Sequence, residues 1–210
     1  LISKIAVKCV VFDADGVVIN SEYFTVKLEK KYGISHEKVQ PFFNEKFNDC
    51  LIGKKDLKKE IQPHLKEWGW KKSADEFLEF WFKTEDRPNA KMISYIKKLH
   101  DQNIKTILAT NQEKYRTKFM TKKMKFNEVF HEIISSADAK SKKPQQEFFS
   151  FIYKEIKQKY HFKKEDVVFW DDIEKNVTAG NEFGFQSFQY KTFNYFKKTM
   201  SSLFDKPSET

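Results

Sequence analysis

Cysteine is scarce in this chain of 210 residues, which contains only Cys9 and Cys50. Two cysteines so far apart cannot build a disulfide framework or a cysteine-based metal cluster. Small secreted domains are usually rich in disulfides, so this scarcity favours a reducing compartment. Cys9 lies within an apolar segment, where a core position is the simplest interpretation.

Long apolar runs are also missing, and no segment approaches the ~20 residues that a membrane-spanning helix needs. The first residues show none of the charged leader, apolar stretch and small-residue cleavage site that mark a secretory signal. We therefore expect a soluble, cytoplasmic protein without a membrane partner. The sequence also has no internal repeat and no low-complexity segment.

Arginine is nearly absent, although the formal net charge is +9. Of the 39 basic residues, all except Arg87 and Arg116 are lysines, and they are spread along the whole chain. Arginine supplies the bidentate contacts by which proteins recognise bases and phosphates, whereas dispersed lysine is typical of a solvated surface. We expect no nucleic-acid partner, although the positive surface can draw small anions toward a cleft.

The chain does contain a strongly apolar segment that ends in two carboxylates. Residues 5–12 are mainly β-branched or aromatic, which predicts a strand covered on both faces of a parallel sheet, and Asp13-Ala14-Asp15-Gly16 follows. Ligands bind at the carboxyl ends of the strands in such sheets. Two acids placed there can serve as a nucleophile and an acid/base. Asp-Gly is also a common turn signal, so the motif alone leaves both interpretations open.

Residues 19–87 contain no predicted strand. Helices are predicted over 22–32, over 56–68 and after Ser73, which forms a capping box with Glu76. Pro63 predicts a kink or break in the second of these helices. We therefore expect residues 19–87 to form a small helical domain inserted after the first strand.

From Pro88 onward, helices alternate with strands, which are predicted at residues 104–109, 132–135, 167–170 and 186–190. This serial order predicts an α/β fold with a Rossmann-like, doubly wound parallel sheet. Residues 1–18 and 88–210 would together form this core domain. The tail from Ser201 is expected to fray.

Polar side chains follow several of the predicted strands. They are Thr110 and Asn111 after the second strand, Lys143 in the loop beyond the third, and Asp171 and Asp172 after the fourth. These side chains should meet the two carboxylates of the first strand at one edge of the sheet. Carboxylates hold Mg²⁺, while a hydroxyl and an ammonium group bind phosphoryl oxygens. Because clustered acids repel one another without a cation, the sequence favours metal-assisted phosphoryl transfer.

In this order and spacing, the four stretches resemble the motifs of the haloacid dehalogenase superfamily of aspartate-dependent phosphotransferases. The stretches are Phe12-Asp13-Ala14-Asp15-Gly16-Val17, Leu108-Ala109-Thr110-Asn111, Lys143-Pro144 and Val168-Phe169-Trp170-Asp171-Asp172. The resemblance extends to about residue 190. The helical insertion stands where that family has its cap domain, which implies a member with a helical cap.

The resemblance implies a role for each of these residues. Asp13 would attack the phosphorus and form an aspartyl-phosphate, and Asp15 would protonate the leaving oxygen and then activate water. Thr110 and Asn111 would bind the phosphoryl group, and Lys143 would neutralise charge on both nucleophile and phosphate. The implied Mg²⁺ site consists of Asp13, the backbone carbonyl of Asp15, Asp172 and, as a ligand or a supporting residue, Asp171.

Alternatives remain for some of these residues. Thr110 or Asp171 could instead cap a helix, and Lys142 could take the place of Lys143. Asn20 stands where family members commonly carry an acid, and Gln145-Gln146 stands where they commonly carry a proline–acid pair. Because of these two departures, the motifs do not assign the chain to a particular subgroup of the superfamily.

The cap is expected to determine the substrate. Leu51-Ile52-Gly53-Lys54-Lys55-Asp56 resembles the glycine-containing cap loop that approaches the active site in this family. Lys54 or Lys55 is therefore a candidate substrate contact, although a solvated start to a helix explains them equally well. Trp68 and Trp70 could stack on a substrate ring, but packing in the cap is favoured. The five histidines show no ligand spacing.

The function expected from this resemblance is that of a Mg²⁺-dependent phosphatase acting on a small phosphorylated metabolite. Asp15 favours phosphate chemistry, because the members that cleave carbon–halogen bonds lack a second acid at this position. A phosphomutase of the same superfamily is an alternative that the motifs do not separate from a phosphatase. A further alternative is a non-catalytic module that binds RNA or protein through the basic surface. The oligomeric state is not predicted.

Overall fold

The computed structural model describes residues 7–20 and 23–204. Five parallel strands form one sheet in the order β3-β2-β1-β4-β5. The strands are β1 (Cys9–Phe12), β2 (Lys105–Thr110), β3 (Glu132–Ser135), β4 (Val167–Asp171) and β5 (Gln186–Gln189). The predicted Rossmann-like α/β fold is confirmed. Residues 5 and 6 of the first predicted strand lie outside the described residues.

Eleven α-helices are present in the described part of the chain. They are α1 (Phe24–Tyr32), α2 (His36–Glu45), α3 (Phe47–Leu51), α4 (Leu57–Trp68), α5 (Ala74–Thr84), α6 (Ala90–Asp101), α7 (Lys114–Lys122), α8 (Ser136–Ala139), α9 (Gln146–Tyr160), α10 (Glu174–Phe183) and α11 (Phe193–Phe204). The predicted capping box of Ser73 and Glu76 is present at the start of α5. None of these helices is both long and apolar enough to cross a membrane.

Both faces of the sheet are covered, as its two layers of core residues show. Val10 and Phe12 of β1 point into a core cluster that includes residues of α6 and α11. Cys9 and Val11 point into a second cluster with α9 on the opposite face. This alternation follows from the period of two along a strand. Because β1 lies at the centre of the sheet, its carboxyl end is flanked by the ends of β2 and β4.

Helices α1–α5 surround an aromatic cluster of their own, which extends from Phe24 to Phe82. Trp68 and Trp70 are buried in this cluster, with 4% and 6% of their surface exposed. The chain leaves the core at Ile19, which forms a bridge with Pro88 where it returns. The predicted division into core and cap at residues 18/19 and 87/88 remains a prediction, but the two crossing segments lie side by side.

Two helices differ from their predicted course. Helix α4 continues through Pro63 without a break, because the buried residues Leu57, Ile61 and Leu65 on both sides of the proline anchor the helix in the cap. The alternative of a kink at Pro63 stays a prediction. Residues 201–204 do not fray but form the last turn of α11, where Leu203 and Phe204 pack against the core. The remainder of the predicted tail, and Glu22 at the predicted start of the first helix, lie outside the described residues.

Candidate active site

The predicted polar residues meet at the carboxyl edge of the sheet. Asp13 follows β1 directly, Thr110 ends β2 and Asp171 ends β4. Phe12 pairs with both Leu108 and Trp170, so the three strands end at nearly the same level. A cavity of about 360 Å³ opens at this edge and extends beneath the cap helices.

The cavity has two walls of different composition. The core wall consists of Asp13, Asp15, Thr110, Asn111, Gln112, Lys143, Asp172, Ile173 and Asn176. The cap wall consists of Tyr23, Phe47, Leu51 and Trp81. Ile19, Asn20 and Glu85 lie where the chain crosses between them.

Lys143 occupies the centre of the core wall. Its ammonium nitrogen lies 2.7 Å from Asp13 Oδ1 and 2.6 Å from Asp171 Oδ2, and only 3% of the residue is exposed. Burial by itself would lower the pKa of Lys143, but the charges of the two aspartates outweigh it and raise the pKa. Lys142 points elsewhere and donates to Asn48 Oδ1 in the cap. The structure therefore brings Lys143, and not Lys142, to the site.

Asn111 fixes the backbone of Lys143. Its Nδ2 donates to the Lys143 carbonyl at 3.0 Å, and its Oδ1 accepts from the Lys143 amide at 2.9 Å. Both ends of the side-chain amide are thus engaged by the loop that carries the lysine. Thr110 is buried at the cavity and does not cap α7, because Glu113 accepts from the amides of Tyr115 and Arg116 at the start of that helix.

Asp171 is fully buried and has hydrogen bonds to both carboxylate oxygens. Its Oδ2 accepts from Lys143, and its Oδ1 accepts from the Ile173 amide at 2.9 Å and from Asn176 Nδ2 at 3.0 Å. Asp171 therefore holds the lysine and the turn into α10. Asn176 has no counterpart among the residues selected from the sequence, because its position on α10 carries no recognisable motif.

Asp172 is the half-buried neighbour that faces the cavity. Among the described residues, no side chain donates a hydrogen bond to its carboxylate. Gly16 has a positive φ of 81°, and a Cβ atom there would collide with the Asp172 carboxylate. The glycine of the first motif is therefore required for the acid of the fourth motif to fit.

The donor set suits a hard cation. Carboxylate oxygens of Asp13, Asp171 and Asp172 lie within 4.8 Å of one another. Burial raises the pKa of Asp13 to about 8 against the lowering effect of Lys143, and Asp171 adds to the increase. Burial and the charge of Asp171 also raise the pKa of Asp172. One lysine does not balance three clustered acids, so a further positive charge fits this position.

The two carboxylate oxygens of Asp13 differ in their contacts. Its Oδ1 accepts from the Ala14 amide at 2.7 Å and contacts the Lys143 ammonium. In the described part of the chain, nothing donates to its Oδ2. A carboxylate held in this way can present the second oxygen to an electrophile in the cavity.

Asp15 is held by residues of α7 and the loop before it. Gln112 Nε2 donates to Asp15 Oδ2 at 2.6 Å, and Arg116 Nη2 lies 4.0 Å from Asp15 Oδ1. The Asp15 side chain is 45% exposed, which leaves it accessible from the cavity. Sequence reasoning missed Gln112 and Arg116. Arg116 is one of two arginines in a lysine-rich chain, and this rarity is the signal that could have indicated a specific role for it.

Arg116 also connects the core with the last helix of the cap. It is 1% exposed, and its two terminal nitrogens donate to the carbonyls of Phe82 and Glu85 at 2.9 and 3.2 Å. The Glu85 carboxylate accepts from Trp81 Nε1 at 2.8 Å and lies 3.7 Å from Arg116. Burial raises the pKa of Glu85 to about 7, although Arg116 acts in the opposite direction.

The cap loop reaches the cavity through Leu51 and not through its lysines. Ser136 Oγ donates to the Leu51 carbonyl at 2.7 Å and thereby joins the loop to the core. Lys54 and Lys55 are exposed and do not line the cavity, and Lys55 lies 3.3 Å from Glu60. The structure leaves both predicted cap contacts outside the site.

A doubly wound sheet whose carboxyl edge carries clustered aspartates and a buried lysine defines a class of α/β enzymes with an acidic active site. Family comparison identifies the group within that class. The model of the haloacid dehalogenase-like hydrolases matches residues 10–189, and the chain belongs to this family. A search of curated proteins finds no match to the sequence.

Solved structures with similar folds include hydrolases and a dehalogenase. A predicted HAD-like family hydrolase from Porphyromonas gingivalis has a TM-score of 0.76 at 17% identity, covering 96% of this chain and 99% of the other. A HAD family enzyme from Bacteroides thetaiotaomicron, in complex with magnesium and inorganic phosphate, has a TM-score of 0.73 at 20% identity, covering 91% and 99%. L-2-haloacid dehalogenase from Xanthobacter autotrophicus has a TM-score of 0.64 at 15% identity, covering 93% and 83%. At these identities the similarity establishes the fold.

Proposed function

We propose that the protein is a Mg²⁺-dependent phosphatase that hydrolyses a small phosphorylated metabolite through an aspartyl-phosphate. The observation that carries this proposal is the arrangement of Asp13, which lines the cavity and whose Oδ1 is held by Lys143 while no described residue donates to its Oδ2. The Bacteroides enzyme with a similar fold binds magnesium and inorganic phosphate, which supports the same chemistry here.

Asp13 Oδ2 would attack phosphorus as the bond to the leaving oxygen breaks. Asp15 would give its proton to that oxygen, so that the alcohol leaves neutral. In the second half, Asp15 would take a proton from water, whose oxygen attacks phosphorus and releases Asp13 and inorganic phosphate. Gln112 would keep Asp15 oriented in both steps, and Thr110 would donate to a phosphoryl oxygen.

Asp13 and Asp172 are the side chains best placed to hold Mg²⁺, together with the backbone carbonyl of Asp15. Asp171 would support the site from behind, because both of its oxygens already accept hydrogen bonds. When bound, the ion would neutralise charge on the phosphoryl oxygens. Together with the ion, Lys143 would favour the ionised form of the nucleophile, and it would add a second positive charge beside the phosphoryl group.

Release of inorganic phosphate from p-nitrophenyl phosphate tests this proposal. We expect Mg²⁺-dependent hydrolysis that is lost on chelation and falls more than about 1000-fold in Asp13→Asn, which keeps the shape of the side chain but not its nucleophilicity. If the wild-type protein hydrolyses this compound and a broad panel of phosphate esters no faster than Asp13→Asn does, the proposal is refuted. Halide release from a 2-haloacid would indicate a dehalogenase, and phosphate recovered at a second hydroxyl of the substrate would indicate a mutase.

A further inference from the structure

The cap wall contributes no positive charge to the cavity. Among the described residues that line the cavity, Lys143 is the one cation, and it is engaged by two aspartates. Ser21 and Glu22, which the structure does not describe, lie between two lining residues in the sequence and are not basic. Within the described residues, the part of the cap that lines the cavity therefore offers no ammonium or guanidinium group to a second anionic group on a substrate.

Arg116 does not supply this missing charge. Its guanidinium is buried behind Asp15 and Glu85, and it is not among the lining residues. Two of its nitrogens are committed to carbonyls of the chain that leaves the cap. A substrate in the cavity would thus meet the carboxylates before it met the arginine.

The acids on the side where the leaving group would lie offer no compensation for a second anion. Asp13 and Asp172 are assigned to the nucleophile and the metal, which leaves Glu85 and Asp15, and Asp15 carries the proton that it gives to the leaving oxygen. Trp81 fixes Glu85 through its indole N–H at 2.8 Å. A second negative charge on the substrate would lose hydration here without a cation to replace it, and it would be repelled by Glu85 in its ionised form.

The rest of the cap wall is apolar or aromatic. Trp81 stacks on Phe24, with ring centroids 4.9 Å apart, so its ring is held firmly. Phe47 and Leu51 of α3 continue this surface, and Tyr23 lies at the rim with 74% of its surface exposed. The volume of about 360 Å³ is at the lower end of the ~300–1,000 Å³ typical of ligand sites. Phosphate and one compact group would fill it.

From this arrangement we infer a substrate class, which rests on the proposed phosphatase function. The substrate is a monophosphate ester of a compact alcohol that has an apolar face and no second negative charge. The apolar face lies against the cap wall, and a hydroxyl or amino group of the alcohol can donate to Glu85. Bisphosphates and phosphorylated carboxylic acids are excluded by charge.

Three para-substituted benzyl phosphates of similar size test this inference: the neutral 4-carbamoylbenzyl phosphate, 4-(aminomethyl)benzyl phosphate and 4-carboxybenzyl phosphate. Their leaving groups are all primary benzylic alcohols and differ in the charge at the far end of the ring. We expect kcat/KM for the carboxylate to be lower than for the neutral ester by about tenfold or more. The cationic ester should be hydrolysed at least as well as the neutral one.

Leu51→Lys places a positive charge in the cap wall, and Leu51→Met is the matched control of similar volume. The backbone carbonyl of Leu51 keeps its hydrogen bond from Ser136 in both variants. We expect Leu51→Lys to raise the ratio of kcat/KM for the carboxylate over the neutral ester by about tenfold. Leu51→Met should keep the wild-type ratio.

The outcomes separate this inference from the proposed function. If p-nitrophenyl phosphate and all three esters are stable in the presence of the protein and Mg²⁺, both proposals fall. If p-nitrophenyl phosphate is hydrolysed but the benzyl esters are not, or the carboxylate and neutral esters react equally, the inference alone falls. An unchanged ratio in Leu51→Lys would also overturn it, because the cap wall would then not face the substrate.

Discussion

The core wall and the cap wall of the cavity are held by different kinds of contact. In the core wall, Lys143, Asp171 and Asn111 fix one another through charge-assisted and amide hydrogen bonds of 2.6–3.0 Å. In the cap wall, Phe47 and Trp81 are held by ring contacts with other aromatic residues. Hydrogen bonds are directional and fix the positions of reacting atoms, whereas packed rings form a shaped surface. The core wall therefore suits a reaction that is the same for many substrates, and the cap wall suits selection of one substrate among them.

The largest expected effect comes from removing the lysine at the centre of the core wall. Lys143→Met leaves the buried carboxylates of Asp13 and Asp171 without their cation, which should cost about 3–5 kcal/mol in the free energy of unfolding. Lys142→Met is the adjacent control, and we expect it to cost about 1 kcal/mol or less. Urea unfolding in the absence of Mg²⁺ measures both.

The comparison of Lys143→Met with Lys142→Met tests whether the buried charge cluster stabilises the core wall. Equal losses in the two variants would mean that the buried charge cluster does not hold the site together. A second readout is hydrolysis of p-nitrophenyl phosphate, which should fall more than about 100-fold in Lys143→Met.

A smaller effect is expected where the first motif approaches the fourth. Gly16→Ala should destabilise the fold by about 2 kcal/mol, because φ is 81° and the new methyl group collides with the Asp172 carboxylate. The displaced carboxylate should also raise the Mg²⁺ concentration needed for half-maximal activity by about tenfold.

Gly33→Ala is the matched control for the backbone. Gly33 also has a positive φ, of 68°, but a Cβ atom there meets nothing within 4 Å. We expect a cost of about 1 kcal/mol from the left-handed conformation and no change in the Mg²⁺ requirement. If Gly16→Ala keeps the wild-type Mg²⁺ requirement, the close approach to Asp172 does not position a metal ligand.

An effect that depends on pH is expected where the two walls meet, at Glu85. Burial raises its pKa from 4.5 to about 7, so the folded state binds this proton more tightly than the unfolded state. The stability that Glu85 contributes is therefore present below about pH 4.5 and is lost as the pH rises through about 7. Glu85→Gln should remove this loss, so that its stability relative to the wild type increases from pH 4 to pH 8.

The control for this pH effect is Glu79→Gln on α5, the helix that ends just before Glu85. The Glu79 side chain is 59% exposed. Chemical unfolding at pH 4 and pH 8 gives the difference for each protein. The assignment fails if Glu85→Gln loses as much stability between these pH values as the wild type and Glu79→Gln do.

The same two walls differ in how much of them the sequence predicted. Asp13, Thr110 and Asp171 could be placed together because each ends a strand, and parallel strands end at one edge. The residues around Asp15 could not be placed from the sequence. Gln112 lies 97 positions from Asp15, and it belongs to a segment whose orientation the sequence does not predict. Strand order brings strand ends together, but it does not determine which face of a helix is turned toward them.

The cap wall was predicted least well, for a related reason. Lys54 and Lys55 carry the charged groups of the cap loop. Its first residue, Leu51, is nevertheless the one that lines the cavity. Its carbonyl is held by Ser136 of the core, a contact across 85 positions. Within the cap, burial of apolar residues also overrode local signals, as the unbroken helix through Pro63 shows.

The two segments that join cap and core have a consequence for the architecture as a whole. Asn20 N donates to the Arg87 carbonyl at 2.9 Å, and Asn89 N donates to the Val18 carbonyl at 2.8 Å, so the outgoing and returning chains are clamped as a pair. These bonds hold the two ends of the insertion close together. An insertion of another length or another fold could therefore occupy residues 21–86 and leave both bonds, β1 and α6 in place, because the entropy of closing a loop grows only slowly with its length.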